Sequence, residues 1–166
     1  MKYPEVFSSI YAQSACCVSP RTETVASATK LAGTPIEEGV KGDFGTRAAL
    51  SSAVAWSPNP QNPPFYVDFP IKDGAVDPLV IAKWANNSPL AMVAGHVGAL
   101  RTFDAIGSDV GTKDGLIRDD TLIHEELARF GIEHVWQTYE GTHTDKIAQR
   151  FDEVVLPFFA EHLDKQ

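Results

Sequence analysis

Residues 103–144 read FDAIGSDVGTKDGLIRDDTLIHEELARFGIEHVWQTYEGTHT, and this stretch decides the fold. Its first residues, 103–107, have the composition of a short strand. An amphipathic helix follows as far as Phe130, with Gly131 as its C-terminal stop. Residues 132–139 predict a second strand. Strand, helix and strand in this order, followed by another helix, predict parallel strands joined by helices, which is the α/β fold class.

The flanking segments extend this pattern on both sides. Residues 7–17 are a run of β-branched, aromatic and small residues that predicts a mostly buried strand. Asp119 or Asp120 is expected to cap the helix that ends at Phe130. Three further helices are expected over residues 78–86, 88–100 and 145–163, the last of them broken at Pro157.

Residues 18–80 differ from the segments on either side, because eight prolines and five glycines interrupt the hydrophobic pattern. Only residues 46–54 have the composition of a short helix, and the proline-rich residues 59–64 predict a loop. A long irregular insertion often acts as a lid or a substrate-binding segment, although a tolerated surface loop has the same composition. Four large rings favour a binding role, so we expect substrate contacts from Trp56, Phe65, Tyr66 and Phe69.

The composition bounds the class of protein. A chain of 166 residues suits one domain, so we treat residues 1–166 as one domain with 18–80 inserted. The formal charge of −8 argues against nucleic acid as a partner, and no apolar run reaches the roughly 18 residues that a membrane span needs. The two cysteines, Cys16 and Cys17, are sequence neighbours, which rarely reach disulfide geometry. These features favour a cytoplasmic protein.

Two predicted loops hold the groups that could carry chemistry. Asp114 lies after the strand at 103–107, and His143 lies after the strand at 132–139. Functional residues collect at the carboxyl ends of parallel strands, so both loops should open on the same edge of the sheet. A carboxylate beside an imidazole is the acid and base of a hydrolytic triad. Asp109 lies in the same predicted loop as Asp114 and is the other candidate for the acid. Alternatively, Asp114 only forms a turn, and His143 caps the last helix or faces solvent.

The other four histidines give no sign of a metal site. They lie within predicted helices or a strand, and none has a second ligand at metal-binding spacing. We therefore expect surface or satisfied core positions, and neither a metal nor a cofactor, for His96, His124, His134 and His162.

Five segments together resemble the esterase family of α/β-hydrolases that includes enterochelin esterase-like, feruloyl esterase-like and S-formylglutathione hydrolase-like enzymes. The segments are KYPEVF at 2–7, PNPQNPP at 58–64, GTKD at 111–114, GIEH at 131–134 and YEGTH at 139–143. The resemblance runs from residue 2 to residue 163 and is weakest over 20–55. It implies a serine esterase acting on small-molecule esters without a cofactor, with Asp114 as the triad acid and His143 as the triad base.

The chain departs from this family in one essential respect. These enzymes carry the nucleophilic serine in a Gly-x-Ser-x-Gly elbow, and the sequence contains no such motif. By the resemblance, the serine should lie roughly ten residues before Met1, so the chain is expected to be the C-terminal part of an α/β-hydrolase fold and inactive alone. Ser14 and Ser19 lack the glycines that so sharp a turn requires.

Two other functions stay open from the sequence. One is a non-catalytic binding or interaction module derived from an esterase. The other is an enzyme that uses Cys16 or Cys17 as its nucleophile with His143 as the base. The strand at 7–17 carries no charge and would present an open edge, so we also expect a homo-oligomer through that edge.

Overall fold

The computed structural model describes residues 1–20, 22–31 and 34–163, which form two compact units. One unit comprises Met1–Val18 with Met92–Gln166, and the other comprises Ser19–Ala91. The strands are β1 (Ser9–Gln13), β2 (Ile71–Lys72), β3 (Ala75–Val76), β4 (Ala105–Gly111) and β5 (Val135–Tyr139). The helices are α1 (Thr22–Leu31), α2 (Ile36–Gly39), α3 (Phe44–Trp56), α4 (Pro78–Asn87), α5 (Pro89–Gly95), α6 (Val97–Leu100), α7 (Ile117–Arg129), α8 (Ile147–Arg150) and α9 (Leu156–His162), with a π-helical turn at Phe151–Val155.

The first unit is built on a three-stranded parallel sheet. Its strand order is β1-β4-β5, so β4 lies in the centre with a parallel neighbour on each side. Helix α7 packs against β4, and the apolar core between them includes Ile106 and Leu127. The predicted α/β class with about three parallel strands is therefore confirmed for this unit.

The central strand is longer than its sequence predicts. Strand β4 runs to Gly111 rather than ending at Gly107, so Asp109 lies within the strand and not in the loop after it. Glycine, serine and aspartate are poor strand formers, but both edges of β4 are paired, and this pairing overrides the local preference. The expected position of Asp109 in the loop is thus wrong.

The helices on the C-terminal side agree only in part with the prediction. Helix α7 begins at Ile117, and Asp119 and Asp120 are buried in its first turn instead of capping it. The last helix is broken as expected, and the break takes the form of the π-helical turn that precedes Pro157. Proline lacks an amide hydrogen and clashes with the carbonyl four residues earlier, so the backbone widens there.

The second unit contains more helix than its sequence predicts. Helix α1 was missed, and α3 covers Phe44–Trp56 where 46–54 was expected. Threonine and valine are weak helix formers, but α1 packs against α3 through the buried Ala28, so tertiary contacts override propensity. The description of residues 18–80 as irregular therefore holds only from Ser57 onward. Among the helices in the described ranges, none is long and apolar enough to cross a membrane.

Candidate active site

The loops that follow β4 and β5 are joined by backbone hydrogen bonds at the carboxyl edge of the sheet. Gly111 and Tyr139, the last residues of the two strands, lie opposite each other. Beyond them, the amide of Thr112 donates to the carbonyl of Tyr139 at 2.8 Å, and the amide of Lys113 donates to the carbonyl of Gly141 at 2.9 Å. The two loops therefore leave the sheet as one connected surface.

Gly111 permits this close approach. A β-carbon at this position would overlap the carbonyl group of Gly141 and also meet the carbonyl oxygen of Thr142. Real β-carbons essentially never come so close to backbone atoms, so a side chain here would force the loops apart. Asp145 fixes the second loop, because its Oδ1 accepts a hydrogen bond from the amide of Thr142 at 2.9 Å.

These loops bring Asp114 and His143 into contact. Nδ1 of His143 lies 3.1 Å from Oδ2 of Asp114, within hydrogen-bond distance. The other carboxylate oxygen, Oδ1, accepts a hydrogen bond from the amide of Leu116 at 2.8 Å, which fixes the orientation of the carboxylate. The Asp114 side chain is almost fully buried, whereas 54% of the His143 side chain is exposed.

Ser14 is a third member of this site that the sequence did not identify. It follows β1, its φ of 50° lies in the left-handed region, and its side chain is buried. Its hydroxyl lies near enough to the Asp114 carboxylate to contribute to lowering the pKa of that group. Burial raises the pKa of Asp114, but hydrogen bonds from Leu116, Ser14 and His143 outweigh burial and hold that pKa below its ordinary value. Asp114 is therefore a carboxylate at neutral pH.

The arrangement determines what the imidazole can do. A carboxylate beside Nδ1 favours the tautomer with its proton on Nδ1, which leaves Nε2 as a lone-pair acceptor. Within the described residues, Nε2 of His143 has no hydrogen-bond partner. His143 can therefore take a proton from a group that reaches Nε2.

Asp109, the other candidate for the acid, is paired with Arg150. Its side chain is fully buried, and its Oδ2 accepts hydrogen bonds from Nε of Arg150 at 2.8 Å and from the Tyr11 hydroxyl at 3.2 Å. Burial, followed by the Asp109 charge, raises the pKa of Tyr11 well above its ordinary value, so the hydroxyl stays a donor. Arg150 also donates to Gln137. This ion pair ties α8 to the sheet, and the geometry selects Asp114 as the partner of His143.

Asp120 is a second buried carboxyl group near the site. Its Oδ1 accepts a hydrogen bond from the amide of Ala15 at 3.2 Å, and its Oδ2 has no partner among the described residues. Burial raises the pKa of Asp120 to about 7, and the charges of Asp114, Asp119 and Asp109 act in the same direction. Asp120 is therefore half protonated near neutral pH.

Two of the remaining histidines are in contact with each other. Nδ1 of His124 lies 2.7 Å from Nε2 of His134, and the His124 ring stacks on Trp136 with ring centroids 4.2 Å apart. Nδ1 of His96 bonds the carbonyl of Met92. Over the described part of the chain, no group of three or more histidine, cysteine, aspartate or glutamate side chains could hold a metal ion.

Three of the four aromatic residues expected to contact a substrate lie in one apolar cluster of the second unit, with Trp56 and Phe65 buried in it and Phe69 packed against it. Trp56 packs edge-to-face on Trp84. The contact of these residues with a substrate stays a prediction. Tyr66 is exposed. Phe65 and Phe69 pack against each other and line a cavity of about 720 Å³ in this unit. Lys72, Lys83, Asp68, Asp73 and Asp77 supply charged groups to the same cavity.

Cys16 and Cys17 are exposed thiols, and their sulfur atoms lie 2.9 Å apart. A thiol nucleophile with His143 as its base stays a prediction.

No protein-family model matches the chain, and no curated protein matches it either.

Proposed function

We propose that Asp114 and His143 are the acid and the base of a carboxylic ester hydrolase of the serine-esterase type. The observation that carries the proposal is the 3.1 Å contact between Nδ1 of His143 and the buried Asp114 carboxylate, with the imidazole half-exposed on its other side. The ester class comes from the resemblance of the segments around these two residues to the esterase family. We also propose the cytoplasmic location that the composition of the sequence favours.

In the proposed reaction, a serine oxygen attacks the carbonyl carbon of the ester while Nε2 of His143 takes the serine proton. The bond between that carbon and the alcohol oxygen breaks as His143 returns the proton to the leaving alcohol, which gives an acyl-serine. Water then attacks the carbonyl carbon of the acyl-serine while Nε2 of His143 takes a proton from the water. The bond between that carbon and the serine oxygen breaks as His143 returns the proton to the serine, which releases the carboxylic acid. Asp114 stays ionised throughout and stabilises the imidazolium, and no cofactor takes part.

We propose that the serine lies in a segment other than these 166 residues. The sequence has no Gly-x-Ser-x-Gly elbow, and Ser14 and Ser19 lack the glycines that so sharp a turn requires. We therefore propose that this chain alone does not hydrolyse esters.

The test compares the chain with a longer protein translated from the same reading frame, extended upstream of Met1. A fluorophosphonate probe, which reacts covalently with an activated serine, and hydrolysis of p-nitrophenyl acetate are measured on both. We expect neither signal from the chain alone and both signals from the extended protein. In the extended protein, Asp114→Asn and His143→Gln should each lower kcat by about 10⁴-fold, while His96→Gln, the matched control, should leave kcat unchanged.

Three results would contradict the proposal. The upstream frame could lack a Gly-x-Ser-x-Gly motif, or the extended protein could keep full activity with Gln at position 143. Alternatively, the chain alone could hydrolyse the ester in a manner that Ser14→Ala abolishes, which would make Ser14 the nucleophile.

A second candidate function, a non-catalytic binding module, is favoured by the cavity that Phe65 and Phe69 line. Its volume of about 720 Å³ lies within the range of small-molecule sites. A fragment screen by NMR would separate the two functions. Binding that shifts Phe69 signals, together with no ester hydrolysis by the extended protein, would favour the binding module.

A further inference from the structure

Cys16 and Cys17 form a pair of thiols at the end of the segment that follows β1. Both are exposed, and their sulfur atoms lie 2.9 Å apart. Cys17 has a φ of 61°, in the left-handed region that non-glycine residues rarely adopt. The sequence contains no other cysteine, so every thiol of the chain lies in this pair.

A direct disulfide does not suit the pair. Consecutive α-carbons are about 3.8 Å apart across a trans peptide, whereas disulfides join α-carbons that are usually about 4.4–6.8 Å apart. Bond formation would also require the sulfur atoms to move from 2.9 Å to about 2.05 Å. A bond under such strain is readily reduced.

A single atom that bridges the two sulfurs avoids this strain. An atom bound at about 2.3 Å from each sulfur, the length of a zinc–thiolate bond, needs sulfurs well beyond the roughly 2.05 Å of a disulfide. The observed separation of 2.9 Å also lies beyond the disulfide length. Cysteine sulfurs prefer soft partners over the hard cations that carboxylates bind.

We propose that Cys16 and Cys17 are a dithiol site for a soft thiophilic centre that takes two sulfur ligands, with trivalent arsenic compounds as the ligand class. With a monosubstituted arsenic oxide, both S–H bonds break and two As–S bonds form. The oxide oxygen leaves as water with the two thiol protons. Arsenic stays trivalent, so the step needs no oxidant or reductant.

Phenylarsine oxide is the probe, and intact mass and the count of thiols that react with Ellman's reagent are the readouts. We expect one phenylarsine per chain and loss of both reactive thiols. The adduct should resist a 100-fold excess of 2-mercaptoethanol and be removed by 2,3-dimercaptopropanol. Cys16→Ser and Cys17→Ser should each lower retention of the arsenical at least 100-fold, because each leaves a single sulfur.

Carboxamidomethylation of the wild-type thiols with iodoacetamide is the control for misfolding of the variants, and it should abolish retention in the same way. Two arsenicals per chain, removal by 2-mercaptoethanol, or a serine variant that retains the arsenical as strongly as the wild type would each overturn the dithiol site. The test is independent of ester hydrolysis, since it reads only binding at the two sulfurs.

Discussion

At the scale of single residues, Asp120 links the site to the stability of the fold. Its carboxyl group is fully buried, and its pKa of about 7 lies above the ordinary value of 3.8. Between these two values the folded protein binds more protons than the unfolded chain, so stability falls as pH rises through this window. The stabilising contribution of the protonated Asp120 carboxyl is fully present below its ordinary pKa of 3.8 and is lost as the pH rises through about 7.

Replacement of this carboxyl by its neutral isostere tests the effect. Asp120→Asn keeps an acceptor for the Ala15 amide and removes the cost of ionisation. We expect the wild type to lose unfolding free energy relative to Asp120→Asn between pH 4.5 and 8, by no more than about 4 kcal/mol. Urea unfolding at the two pH values measures this difference, and the exposed Asp104→Asn is the control. A difference that does not change with pH would contradict the buried, proton-binding role.

Gly111 gives a second prediction at the residue scale. A methyl group at this position meets the backbone of Gly141, so Gly111→Ala should cost about 1–3 kcal/mol of unfolding free energy. It should also separate the two loops that hold Asp114 and His143. Gly115→Ala is the matched control in the same loop, because no atom lies within 4 Å of its β-carbon position. Equal thermal denaturation midpoints for the two variants would show that the loops are not in close contact.

At the scale of elements, the attachment of α8 to the sheet depends on the ion pair of Arg150 with Asp109. The Asp109 side chain is fully buried, and the Arg150 side chain is 14% exposed. Removal of one partner leaves a buried charge unpaired, so Arg150→Met should cost about 3–5 kcal/mol. Lys113→Met breaks the exposed ion pair with Glu140 and should cost at most about 1 kcal/mol. Denaturant midpoints of the two variants check this order, and a reversed order would contradict it.

The same elements show what the sequence could reveal and what it could not. The periodicity of residues 103–139 predicts strand, helix and strand, and the loop positions of Asp114 and His143 follow from it. The length of β4 cannot be predicted from the local sequence. Asp109 is buried within this strand, and its partner Arg150 is 41 residues away in the chain. The sequence indicates of Ser14 only that it lacks the glycines of a nucleophile turn, because its place near Asp114 brings together residues 100 positions apart.

At the scale of the whole molecule, β1 is an edge strand of the three-stranded sheet described here. Phe7 and Val6 are exposed beside it, and Ile10 within it is partly exposed. An uncharged apolar edge favours pairing with a second strand, so we expect the protein to self-associate through this edge. Ile10→Lys should shift the protein toward monomer, because a charge on an edge strand opposes pairing.

Light scattering coupled to size-exclusion chromatography measures the oligomeric state. Leu79→Lys is the control, since Leu79 is more exposed than Ile10 and lies in the other unit. A wild-type protein that remains monomeric at about 100 μM, or a dimer that Leu79→Lys disrupts and Ile10→Lys does not, would contradict pairing through β1.

The tautomer of the neutral His143 ring tests the central claim most directly. The proposed chemistry requires Nδ1 to hold the proton and Nε2 to be the acceptor. The measurement is the pair of imidazole ¹⁵N chemical shifts of His143, recorded by NMR at a pH where the ring is neutral. We expect a protonated Nδ1 and an unprotonated Nε2 in the wild type, and a mixture of the two tautomers in Asp114→Ala. A wild-type ring protonated on Nε2, or a tautomer that Asp114→Ala leaves unchanged, would contradict the assignment of Asp114 and His143 as acid and base.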